Sequence, residues 1–192
     1  MDYTDMMNKW AATKNLYTKD EMDKAFYMYA KRKKNDLIII EEFSELIQVL
    51  SKRVRGIYTS DNTHDQMVTL EEMADVWMMI EIYLRQHDYL KYRKLDPELS
   101  INTLMLEDIK YSVHHTELSL IHDLSTCAGL LSGFIVNEGA THDRFGLTSF
   151  FGDIQRMITI LRFHYGISDD YFYRMITLKI NRDIERNHIS IT

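Results

Sequence analysis

The sequence predicts an all-α protein, and three observations carry that reading. Glycine (7) and proline (1) are scarce among 192 residues, so few breakers interrupt a helix. Apolar residues recur at helical spacing: in "DEMDKAFYMYAKR", Met22, Phe26, Tyr29 and Ala30 share a face. The periodic segments are long, and polar stretches separate them. With 45% hydrophobic and 27% charged residues, the chain can bury a sizeable core as one domain or two small ones.

Residues 1–17 show little pattern beyond a short helix around Trp10. Thr18, followed three residues later by Glu21, makes a capping box that opens a helix over 19–33. A second helix is expected over 36–54. "RGIYTSDNTHDQMV" reads as a loop, and its 56–68 stretch would bring His64 and Asp65 within reach of a substrate. Thr69 then starts a helix running to about 88. Pro97 marks a break and opens the next helix, which divides the chain into halves 1–96 and 97–192. In the second half, one or two helices lead to a loop, "FIVNEGATHDRFG". A helix from Leu147 follows, then a final helix capped by Ser168 with two aspartates in its first turn.

The halves share a plan. Laying "LIIIEEFSELIQVLSK" over "LSLIHDLSTCAGLLSG" matches Leu37 with Leu118, Ile40 with Ile121, Ser44 with Ser125 and Leu50 with Leu131. "TLEEMADVWMMIEIY" likewise lies over "LTSFFGDIQRMITIL", with Asp75 on Asp153. Among the unmatched positions are the acids: Glu41 meets His122, Glu42 meets Asp123, Glu45 meets Thr126 and Glu72 meets Phe150. A common ancestor would mean that the second half kept the scaffold and lost most of its carboxylates.

A net charge of −6 argues against a general nucleic-acid binder. The single cysteine, Cys127, sits in an apolar helical run and reads as a buried inert thiol, suited to a reducing cytoplasm. No uninterrupted apolar run approaches the roughly 18 residues of a membrane span, and "MDYTDMMNKW" lacks a signal-peptide shape. The expectation is a soluble protein of the cytoplasm with no membrane partner.

The chemistry lies in the acids. Glu41 and Glu45 are i and i+4 with Glu42 on the flank, inside the apolar run "IIIEEFSELIQVL". Glu72 and Asp75 are i and i+3 on the later helix. If those helices pack antiparallel, four or five carboxylates converge, an oxygen set suited to Mg2+ or Mn2+. The metal would make the like charges tolerable.

E-E-x-x-E at 41–45 followed by E-x-x-D at 72–75 resembles the MazG-like all-α nucleoside triphosphate pyrophosphohydrolases, a superfamily related to dimeric dUTPases and dCTPases. The surrounding "IIIEEFSELIQVLSK" and "LEEMADVWMMIEIYLR" look like phage-type members, and the likeness covers residues 20–90, with 100–190 a degenerate copy. The resemblance implies an antiparallel helical bundle, here two tandem repeats forming a pseudo-dimer. It implies Mg2+-dependent hydrolysis of nucleoside triphosphates at the α–β phosphoanhydride, in a cytoplasm (the host's, if phage-encoded), with a homo-oligomer compatible. Carried over by position, Glu42, Glu45, Glu72 and Asp75 would bind metal and Glu41 would act on the water, although Glu41 and Glu42 could exchange roles. Lys52, Arg53 and Arg55, which follow the acids, and Lys179, Arg182 and Arg186 are the candidate phosphate-binding cations. The last three share a face in "KINRDIERN", a run that resembles the basic close of many family members. Asn35 and Phe26 are candidates to hold the base, with ordinary packing the competing explanation for Phe26 and Tyr29.

The competing readings are a narrower dUTPase, dCTPase or signalling-nucleotide hydrolase, and a non-catalytic nucleotide-binding or interaction module on the same fold. Adjacent His114 and His115 point in different directions on a helix, which disfavours a metal site there. Trp77, Met78, Met79 and Ile80 read as core.

Overall fold

The structure is a computed structural model that describes residues 19–32, 36–59, 62–90, 101–104, 109–136 and 144–186. Over these it is helical: α1 (Lys19–Arg32), α2 (Asp36–Val54), α3 (Thr63–Gln86), α4 (Val113–Val136), α5 (Arg144–His164) and α6 (Asp169–Arg186), with a 3-10 turn at Ile101–Thr103. The all-α expectation holds. The helix around Trp10, the Thr18 cap and the break at Pro97 lie outside the described residues.

The packing centres on α3. It contacts α2, α1, α6 and α5, while α2 also packs on α4 and α4 on α5. Every residue from 73 to 84 on α3 is buried, as a helix covered on all sides requires. Trp77, Met78, Met79 and Ile80 are core, as expected. Edge-on aromatic contacts tie neighbouring helices to this rod: Trp77 to Phe172 at 5.6 Å and Tyr83 to Phe151 at 5.5 Å between ring centroids.

Local chemistry sets the ends. α2 and α5 stop alike, with Gly56 and Gly166 at φ 69° and 68°. Behind them Ile57 N–H donates to Lys52 O and Ile167 N–H to Arg162 O, each at 2.9 Å, the six-residue closure of a left-handed helix cap. Ser168 caps α6 as expected, its Oγ accepting from Tyr171 N–H at 3.2 Å. The α3 start corrects the sequence reading. The helix begins at Thr63, with Asn62 as N-cap accepting from His64 N–H at 2.9 Å, so His64 and Asp65 sit on its first turn and not in a loop. Thr69 is inside the helix, its hydroxyl donating to Asp65 O at 2.7 Å. The expected second-half loop is also shorter, because Phe134–Val136 and Arg144–Gly146 are helical.

By length and composition alone α4 is apolar enough to cross a membrane, a property that core helices share. Its inner face, Leu120, Leu124, Cys127 and Leu131, is fully buried.

The matched segments of the two halves also match in burial. Residues 37–48 and 118–129 run through the same order of exposed, intermediate and buried positions, differing only where exposed Glu45 meets intermediate Thr126. Ser44 and Ser125 each donate to the carbonyl four residues back, at 2.8 and 2.7 Å.

Candidate metal centre

Phe43 and Leu46 are completely buried on α2, which leaves Glu42 and Glu45 on the shoulder of that inner face. Across the interface, buried Met73 and Ala74 fix α3 and set Glu72 at its edge. Three carboxylates therefore meet: one oxygen each from Glu42, Glu45 and Glu72 lies within 4.8 Å of the others. Glu45 is exposed and the other two are half-buried, so the group opens to solvent on one side. Among the described residues this is the cluster able to hold a metal ion.

Asp75 lies almost one turn further along α3 and is deeper, only 7% exposed. Its carboxylate accepts a hydrogen bond from Lys179 Nζ of α6, itself 6% exposed. Arg182 stands one turn beyond Lys179, with Nε 3.6 Å from Asp183.

The electrostatics are those of crowded acids leaving water. Burial first, then the charges of Asp75 and Glu45, pushes Glu42 up to about 8, with Lys179 opposing. Burial and Asp75 push Glu72 up to about 7, and its Oε2 is buried with no hydrogen-bond partner. Asp75 is also raised by burial, against the pull of Lys179 and Arg182. Tyr29 of α1 completes the surround. Burial drives its hydroxyl up to about 12, with the charges of Asp183 and Glu42 adding.

The remaining candidates fall elsewhere. Glu41 is exposed and outside the trio. Lys52 donates to the Tyr58 hydroxyl at 3.4 Å, and Arg55 donates back to Ser51 O at 3.1 Å. Phe26 is buried under the Arg85 guanidinium, 5.2 Å from its ring centroid. Asn35 and the Arg186 side chain lie outside the described residues, while His114 and His115 are exposed. In the second half, burial and then the charge of Asp153, opposed by His122, raise Asp123; these two aspartates match Glu42 and Asp75. A cavity of about 240 Å3 lined by Met67, Leu70, Tyr165 and Tyr171 opens beside the α5–α6 junction, and no member of the acid trio lines it.

Sequence reasoning missed a second buried polar group. Arg53 Nε donates to Glu117 at 3.3 Å, and the Tyr165 hydroxyl donates to the same oxygen at 2.5 Å. Arg53 also reaches Thr69 at 3.4 Å, which joins the ends of α2, α3, α4 and α5. Arg53 and Glu117 are 64 positions apart, so no local pattern announces the pair.

All-oxygen donors, like charges drawn together and a buried carboxylate oxygen without a partner fit a hard divalent cation. Compared with known protein families, curated proteins and solved structures, the chain matches none.

Proposed function

We propose that this chain is a Mg2+-dependent nucleoside triphosphate pyrophosphohydrolase. The observation that carries the reading is the meeting of Glu42, Glu45 and Glu72 oxygens within 4.8 Å, with Asp75 and Lys179 alongside. Such a set binds a hard cation and brings a protein cation to the same place, the combination that a polyphosphate needs. Bound there, Mg2+ supplies charge neutralisation of phosphate oxygens and a more acidic water.

Glu42, Glu45, Glu72 and Asp75 are the metal ligands in this reading. Glu41, beside them on α2, orients the attacking water. Lys179 and Arg182 take the triphosphate, with Lys52, Arg55 and Arg186 as outer cations. The water oxygen bonds to the α-phosphorus as the bridge to the β-phosphorus breaks, giving a nucleoside monophosphate and pyrophosphate. The scaffold in this reading is a tandem pseudo-dimer of antiparallel helices, supported by the shared burial order of 37–48 and 118–129. One half brings the acids, and the other brings the cations of α6.

A panel of nucleoside triphosphates assayed with Mg2+ tests the activity. Pyrophosphate release that falls about 100-fold in Glu72→Gln is expected. Orthophosphate as the only product, or no turnover of any nucleotide, would overturn the reading.

A further inference from the structure

Lys179 contributes more than a positive charge near a phosphate. Its ammonium is buried on Asp75, and a carboxylate as deep as Asp75 demands such a partner. The ammonium charge also opposes the upward push on Glu42 and Glu72. Lys179 is thus the cation that the chain places in direct contact with the acid set, with Arg182 acting on Asp75 as well.

A divalent cation drawn to Glu42, Glu45 and Glu72 meets that ammonium. The two positive charges repel across a partly buried interface, where water screens them less than in bulk. They also compete for Asp75. The long lysine stem can swing its charge away without moving α6, and Arg182 lies one turn on, marking the direction in which anionic substrate would lie.

We propose that Lys179 is an exchangeable internal counter-ion: it holds Asp75 until a divalent cation takes that carboxylate, and is then handed to the triphosphate. Metal and nucleotide consequently bind in order, and each strengthens the other. This rests on the reading of the acids as a metal centre.

The test is Mn2+ binding to the chelator-treated full chain, read from the electron paramagnetic resonance signal of free Mn2+ and made first without nucleotide. Lys179→Met should bind Mn2+ about tenfold more tightly than the wild type, because the competing charge is gone. Lys179→Gln, which keeps a hydrogen bond to Asp75 and guards against a folding defect, should do the same. Lys179→Arg should match the wild type. Adding a non-hydrolysable nucleoside triphosphate should tighten Mn2+ binding in the wild type and much less in Lys179→Met. Equal or weaker Mn2+ binding by both neutral variants overturns the hand-off while leaving the metal centre standing. No Mn2+ binding by the wild type or any variant overturns the metal centre itself, and the hand-off with it.

Discussion

Glu42 and Glu72 hold protons that free glutamates would release. Their folded values of about 8 and about 7 stand above the ordinary 4.5, so between those limits the folded chain binds more protons than the unfolded one. Stability of chelator-treated protein should therefore be greatest on the acid side of this window and should fall as pH rises from about 5 to 8. Melting temperature against pH shows this directly, and Glu42→Gln should flatten the slope; a profile that rises with pH would contradict it. The acids were legible in the sequence because i, i+3 and i+4 spacing fixes which residues share a face. Their unequal depths were not. Glu45 is exposed while Asp75 is nearly sealed, and that contrast comes from the placement of α6, which residue spacing does not encode.

Helix ends were legible where a residue type has one strong use. Ser168 was read correctly as a cap, whereas Thr69 was not, since threonine also serves inside helices by donating to the carbonyl four residues back. Asn62 and Asp65 held the missed signal: an N-cap side chain and a first-turn acid inside a stretch polar enough to pass for loop. The C-terminal end of α3 yields an experiment. Tyr89 N–H closes on Leu84 O at 2.8 Å, the same pattern that ends α2 and α5, but the left-handed position is Asp88 at φ 55°. Glycine adopts that conformation without a side-chain clash, so Asp88→Gly should stabilise the protein by about 0.5–1 kcal/mol. Chemical denaturation measures it, and a loss of stability would show that the Asp88 side chain outweighs the backbone strain.

The whole molecule is knit by contacts that no local pattern could reveal. Arg53 and Glu117, with side chains 5% and 7% exposed, join the two halves. Glu117→Ala strands a buried guanidinium and should cost about 3–5 kcal/mol, whereas Arg53→Met with Glu117→Met should recover part of that loss. Urea unfolding of the single and double variants decides it, and additive losses would argue against a coupled pair. The likeness of 37–50 to 118–131 was visible in sequence: the apolar face returns, while Glu41, Glu45 and Glu72 have no acid at the matching position. A last consequence follows from the hydrogen bond between Lys179 and Asp75, which spans 104 residues. On a ribosome adding about 5–20 residues per second, Asp75 is made roughly 5–20 s before its lysine. Throughout that interval the nascent chain carries four acids and the greasy flank of α3 without their cover. Of the described helices α6 is made latest, and it is the one that brings Asp75 its cation.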